Sequence, residues 1–269
     1  WANAGHQVTV ITGAPNFPKG KVFDGYRNRL WKQETMAGIR VIRVCTYIAA
    51  NEGFVRRTLD YLSYMVTAFL ASLFVRQIDV VVGTSPQFFT VCAAYMTGLL
   101  KRVPWVFELR DIWPESIVTV GAMKRSRLMS FLEWLERRMY AAADHIVTVG
   151  NGYRDQLLAR GVNEADISVI PNGVAFDRFG VARGGAEPRI LFVGRPDPRK
   201  GLSHLLAAFA RVRRRQPQAL LDVVGPVPPS LRARLLAPLA PEHRAGVTFH
   251  GQLSAEALPE RYARAVPGV

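Results

Sequence analysis

Short runs of β-branched and aliphatic residues recur along the chain, separated by longer stretches whose apolar positions repeat every three to four residues. The runs cover 7–12, 39–45, 78–83, 104–109, 145–149, 167–170, 189–193, 219–224 and 247–250. Many are apolar at successive positions, as strands covered by helices on both faces must be. Leu128, Phe131, Leu132, Leu135 and Met139 mark the expected buried face of a helix over 127–143, and Leu205, Leu206, Phe209 and Val212 that of a helix over 203–215. Strand and helix in alternation predict an α/β fold with parallel sheets and right-handed crossovers. The Gly-rich, weakly patterned stretch from Phe179 to Pro188 reads as a linker. The chain is therefore expected to hold a first domain over 1–180, a linker over 181–188 and a second domain over 189–269. Ligands of such sheets bind at the carboxyl ends of the strands, here in a cleft between the domains.

One apolar stretch stands apart. Thr58 to Val75 form an almost unbroken apolar helix between Arg57 and Arg76. A membrane span needs about 17–25 residues, and Asp60, Ser63, Thr67 and Ser72 interrupt this one. The pattern favours a buried or surface-lying helix over a span. Its Tyr61, Tyr64, Met65 and Phe69 are expected either to face lipid headgroups or to pack in the core.

Charge sharpens the picture. The net charge is +14 over 269 residues. Residues 1–180 carry 21 basic and 15 acidic side chains, and residues 181–269 carry 14 and 6. The second part is the denser positive field, which suits an anionic ligand or an anionic membrane surface. Basic and aromatic residues are not interleaved as in nucleic-acid binders, so no nucleic-acid partner is expected. Cys45 and Cys92 form no C-x-x-C pair and read as buried thiols of a reducing cytosol. The five histidines show no ligand spacing, so no structural metal is expected.

The chemistry concentrates in Phe192–Leu202. A strand, expected to be buried, runs into Gly194, Arg195, a Pro-rich turn, Lys200 and Gly201, and a helix then opens. That layout aims two cations and a set of free helix N–H groups at one place, which suits a diphosphate. Asp111 follows a buried strand, where catalytic groups of such sheets collect. It is read either as a cleft residue or as a cap of the next turn. Arg110 is expected to pair with Asp111 or Glu115, and Glu115 also reads as a first-turn helix acid. Ser85 reads as a helix N-cap with Pro86 at the first helical position. Asn172-Gly173 reads as a turn toward the second domain.

Four segments in order resemble a known family. They are Gly5–Thr12 with Pro15–Gly20 and Gly25-Tyr26; Arg110–Ser116; Val169–Val174 with Phe179; and Gly194–Gly201 trailing into Val223-Val224-Gly225 and Phe249-His250-Gly251. The chain looks like a retaining glycosyltransferase of the GT-B fold, built from two Rossmann-like domains. It resembles the large family that includes sucrose synthases, and within it the bacterial capsule, O-antigen and colanic-acid branch. The resemblance implies a nucleoside diphosphate sugar as donor, with UDP expected, and no metal or other cofactor. Arg195 and Lys200 then clamp the diphosphate, with Gly194, Gly201 and Gly225 on the donor side. Asn16, Ser85, Arg110, Asp111 and Glu115 fall on the acceptor side. Asp111 is a catalytic candidate together with Arg195 and Lys200, acting as base or only orienting the reactants, since several branches carry His there.

The resemblance also implies a lipid-linked glycan acceptor, surface polysaccharide synthesis and a cytoplasmic protein on the inner face of the membrane. Against the family pattern, the chain begins as if within a helix and stops before a Glu-x₇-Glu motif. A first strand with its Gly-rich loop and a carboxyl-terminal portion are thus expected to be missing, and this piece alone is expected to show little or no transfer. Two alternatives remain open at this level. One is a nucleotide-sugar 2-epimerase of the same fold, and the other a non-catalytic nucleotide-binding partner.

Overall fold

The computed structural model describes residues 1–16, 20–48, 54–112, 127–174, 177, 179 and 188–265. The chain divides into two compact units, Trp1–Asn172 and Gly173–Val269. Of the expected linker 181–188, only Pro188 lies among the described residues.

The first unit holds two sheets. One joins β1 (Thr9–Thr12), β3 (Ile39–Val44) and β2 (Trp31–Met36) in the order β1-β3-β2. The other is parallel throughout, in the order β4 (Val81–Thr84), β5 (Trp105–Leu109), β6 (His145–Thr148) and β7 (Ile167–Val169). Helices α1 (Phe54–Leu73) and α2 (Phe88–Lys101) pack along each other. Helices α3 (Arg127–Ala142) and α4 (Asn151–Ala159) follow β5 and β6. The main core gathers Phe88, Val91, Trp105, Phe107, Leu109, Ile146 and Leu157. Trp105 is polar at one edge only, and its indole N–H donates to the Ala142 carbonyl at 2.6 Å. A buried Trp thus keeps its single donor satisfied.

Sequence patterning missed β2. This strand is antiparallel to β3, against the parallel expectation, and its residues alternate between exposed and half-buried. An edge strand of that kind buries too little to show an apolar run. Its turn signal was present: Ala37 and Gly38 both have positive φ, 49° and 78°, as a two-residue hairpin turn demands.

One helix face differs from expectation, and a second is decided between its two readings. On α3 the buried side chains are Met129, Glu136, Met139 and Tyr140, while Phe131 is 53% exposed and stacks on the equally exposed Trp134. The Leu128 side chain lies outside the described set. Glu136 takes an apolar-face position because it is paired: Tyr140 Oη donates to it at 2.6 Å, and Arg160 stands 3.4 Å away. On α1, Met65 packs against the main core and Tyr64 Oη donates to the Ile11 carbonyl at 2.8 Å. Burial holds that phenol up at about 12. The core reading therefore wins for these two, and the exposed apolar residues of α1 are Leu59, Val66, Leu70 and Leu73. No helix among the described residues is long and apolar enough to cross a membrane. Cys92 is buried, with its thiol pushed up to about 12, whereas Cys45 is only half-buried.

The second unit is a parallel sheet in the order β10-β9-β8, from β8 (Arg189–Val193), β9 (Leu220–Val224) and β10 (Val247–Gly251). Helix α5 (Leu202–Arg215) packs Leu202, Leu206 and Phe209 against Leu221, Val223 and Val247. That is the face its apolar spacing predicts. Shorter helices α6 (Pro229–Leu236), α7 (Pro241–Arg244) and α8 (Leu258–Arg264) complete the unit. The expectation that β8 is buried fails, because β8 is an edge strand: its residues are half-buried and Val193 is 38% exposed. Burial goes to β9, which has a strand on each side.

Candidate active site

The carboxyl edge of the second unit's sheet is built from glycine. Each strand ends at one: Gly194 after β8, Gly225 after β9 and Gly251 in β10. Gly194 N–H donates to the Val224 carbonyl at 2.9 Å, and Gly225 N–H to the Gly251 carbonyl at 2.8 Å. Gly225 has φ +146°, and a β-carbon on it would lie 1.9 Å from the Gly194 carbonyl oxygen. A side chain there is impossible without moving backbone. At Gly194 a β-carbon would meet only the Phe192 ring at 3.5 Å.

From Gly194 the chain enters the loop that the sequence singled out. Arg195 and Lys200 are both exposed on it. Asp197 organises the turn between them. Its carboxylate accepts from the Arg199 backbone N–H at 3.0 Å and from the Arg199 guanidinium at 3.0 and 2.8 Å. Hydrogen bonds from Arg199 hold this carboxyl well below the usual range. Arg199 thus neutralises the loop's one acid, a pairing that sequence reading missed. Gly201, at φ +70°, joins a short 3-10 turn over Pro198–Lys200 to α5. Helix α5 carries no side-chain cap and no acid in its first turn. Its leading N–H groups have no partner within the helix.

The same sheet holds an ionic cluster that sequence reading also missed. Asp222, on the central strand, is 2% exposed. Arg189 of β8 reaches both its oxygens at 3.1 and 3.0 Å, and His250 Nε2 of β10 stands 3.0 Å away. Burial pushes the Asp222 carboxyl up, but the proximity of His250 and the hydrogen bonds from Arg189 leave it below the usual range. Asp222 sat inside an apolar run, where one acid gives no periodic signal.

In the first unit, Ser85 takes a different part from the one its sequence context foretold. Helix α2 starts at Phe88 with Gln87 as N-cap, and the Ser85–Pro86 peptide is cis, so neither residue caps the helix. The Ser85 hydroxyl, 2% exposed, accepts from the Arg110 N–H at 2.9 Å and the Asp111 N–H at 3.2 Å, and lies 3.2 Å from the Asp111 carbonyl, to which it donates. It ties the end of β4 to the turn after β5. The Arg110 guanidinium donates to Asn172 Oδ1 at 2.8 Å, rather than to Asp111. Asp111 is half-buried at that turn. Glu115 lies outside the described residues.

Asn16 lies elsewhere on the unit, in the wall of a cavity of about 590 Å³. The loop after β1, Arg43 on β3, the first turns of α1 and the start of α2 line it, and it is open to solvent. Asn16 Nδ2 donates to the Ala14 carbonyl at 3.0 Å. Arg43, 8% exposed, is fully engaged: it bonds Glu34 and the Gly13 carbonyl and lies 4.8 Å from the centre of the Tyr26 ring. The structure therefore groups Ser85, Arg110 and Asp111, sets Asn16 at the cavity, and in the second unit sets Gly194 against Gly225, with Arg195, Lys200 and Gly201 on the loop that follows. No group of three or more His, Cys, Asp or Glu among the described residues is placed to hold a metal ion.

Two family descriptions match in tandem: "Glycosyl transferase 4-like domain" over residues 1–173 and "Glycosyl transferases group 1" over residues 174–266. The chain belongs to the family of the glycosyl transferase 4-like domain, with a match to the group 1 glycosyl transferases following it. Among relatives of the chain, the Escherichia coli (strain K12) protein WcaI, named as a putative colanic acid biosynthesis glycosyl transferase, is 23% identical over 230 residues. The match takes in 79% of the chain and 56% of WcaI, so the chain spans just over half the length of that curated relative. Among solved structures, WaaG, a glycosyltransferase of lipopolysaccharide biosynthesis, aligns with TM-score 0.56 and 19% identity, over 98% of this chain and 66% of WaaG. Anabaena HepE, solved with UDP and glucose, aligns with TM-score 0.54 and 14% identity, over 93% and 70%. These likenesses establish the GT-B fold of the chain.

Proposed function

We propose that the protein carrying this chain transfers a sugar, with retention, from a nucleoside diphosphate donor to a lipid-linked glycan during bacterial surface polysaccharide synthesis. The loop from Gly194 to Gly201 carries the reading: it sets exposed Arg195 and Lys200 just ahead of the uncapped start of α5. Cations and free N–H groups in that position favour a diphosphate. The diphosphate gains charge as the bond to the anomeric carbon breaks, so preorganised cations stabilise the transition state more than the ground state. In the proposal the two cations do the work of a metal, so transfer should proceed unchanged in a chelator. UDP is the nucleotide of the proposal, in keeping with the UDP bound to the fold relative HepE.

On the acceptor side, Ser85 fixes the backbone of Arg110 and Asp111. In the proposal the donor phosphate accepts the acceptor proton, and Asp111 orients the acceptor. The test is calorimetric titration of UDP, with GDP and ADP alongside. Arg195→Ala and Lys200→Ala should each weaken UDP binding at least tenfold, and unchanged affinity in both would contradict the donor assignment.

Peripheral membrane contact belongs to the same proposal. The carboxyl ends of α1 and α2 lie together, with Lys101 Nζ donating to the Leu73 and Val75 carbonyls at 3.3 and 2.8 Å. Phe74, Leu99 and Leu100 are 73%, 67% and 60% exposed there, beside exposed Arg76 and Arg102. An apolar patch rimmed by fixed positive charge complements an anionic lipid surface.

A further inference from the structure

We propose that the cavity at the start of α1 is the seat of a phosphate-bearing saccharide, held by Arg57, Asp60 and Tyr61. The proposal rests on the glycosyltransferase reading and names the chemistry of its acceptor. The three residues sit at i, i+3 and i+4 of one helix, so they share a face. All three line the cavity. Its volume of about 590 Å³ lies within the roughly 300–1,000 Å³ of small-molecule sites.

Each residue offers something different. The Arg57 guanidinium lies 5.7 Å from the centre of the Tyr61 ring and donates to Tyr61 Oη at 3.1 Å. That pins the fork without neutralising it, and a planar fork of donors matches a phosphate. Tyr61 presents a ring to a sugar's C–H surface. The Asp60 carboxyl accepts hydrogen bonds from sugar hydroxyls, and burial pushes it above its ordinary value. The other charged wall residue, Arg43, is committed to Glu34 and the Gly13 carbonyl. Across the cavity Thr90 Oγ1 donates to Gln87 Oε1, which leaves the Gln87 amide N–H₂ as a donor. A cation, a carboxyl, an aromatic face and an amide in one cavity fit a sugar phosphate better than either a bare phosphate or a neutral sugar.

The ligand has two sources, a soluble sugar 1-phosphate or a lipid-linked sugar diphosphate, and the test separates them. The intact chain is titrated with the 1-phosphates of glucose, galactose, mannose and N-acetylglucosamine, with their farnesyl diphosphate counterparts, and with the methyl glycosides. At least one phosphate-bearing sugar should bind at least tenfold more tightly than its methyl glycoside. The tighter of the two phosphate forms names the source. Arg57→Ala should erase that advantage, Arg57→Lys should restore part of it, and Asp60→Asn should weaken both forms. Arg195→Ala/Lys200→Ala should lose UDP and leave the saccharide affinities unchanged. If no sugar binds, or if Arg57→Ala leaves the advantage intact while UDP still binds, the saccharide site is overturned. If UDP binds none of the proteins, the donor reading fails instead.

Discussion

Gly225 lies so close to Gly194 that a β-carbon on it would stand 1.9 Å from the Gly194 carbonyl oxygen. Two strand ends meet there without side chains, and the loop bearing Arg195 and Lys200 leaves from that contact. Gly225→Ala should therefore displace the loop. Overpacking of this kind costs about 1–3 kcal/mol. Thermal unfolding should fall accordingly, and UDP affinity should drop further than the melting shift alone explains. Gly194→Ala, which meets only the Phe192 ring at 3.5 Å, should unfold near the wild-type temperature.

Ser85 and Asp111 separate stability from chemistry. Ser85→Ala strips the partner from two backbone N–H groups, and an unmet buried donor costs about 1–3 kcal/mol. Its melting temperature should fall. Asp111→Asn keeps size and position, so unfolding should change by less than about 0.5 kcal/mol. In the whole protein, transfer to acceptor, followed by product chromatography, should nonetheless decline. Equal melting losses in both variants would contradict the separate roles.

The Asp222 cluster makes the second unit acid-sensitive. Its carboxyl is lowered in the folded state, so its stabilising effect is complete above the ordinary Asp value, near 4. It is lost as pH falls through the lowered folded value. Asp222→Asn should destabilise the unit by roughly 1.5–3 kcal/mol at neutral pH, the range for hydrogen bonds to charged groups. Melts of wild type and variant should converge as pH drops below about 4. A gap that stays constant across that range would refute the assignment.

Vesicle flotation tests the membrane contact. Leu99→Ser/Leu100→Ser should reduce recovery with anionic vesicles, and added salt should reduce it too, because screening weakens exposed charge attraction. Neutral vesicles should recover little protein. Unchanged flotation of the double variant would rule out this patch.

Much of the fold was legible because its strands are β-branched and mostly apolar, and its long helices carry regular stripes. Edge position erased the signal where it failed. Strand β2 is half-exposed and polar, and β8 is less buried than its composition implies. Pairing misled at Glu136, whose charge hides on a buried face beside Tyr140 and Arg160. The Gly194–Gly201 loop stood out in the sequence because its glycines and cations are contiguous. The cavity was not, because Asn16, Arg43, Asp60 and Gln87 come from four separate segments. Ser85 was misread because local spacing resembles a cap, whereas its partners stand some 25 residues along the chain.

The most direct measurement is UDP affinity of the intact chain against Arg195→Ala and Lys200→Ala, with folding checked by circular dichroism. Saturable UDP binding in the wild type, weakened at least tenfold in each variant at unchanged melting temperature, is the predicted result. Equal affinity in all three proteins, or no nucleotide binding by the folded wild type, would contradict it.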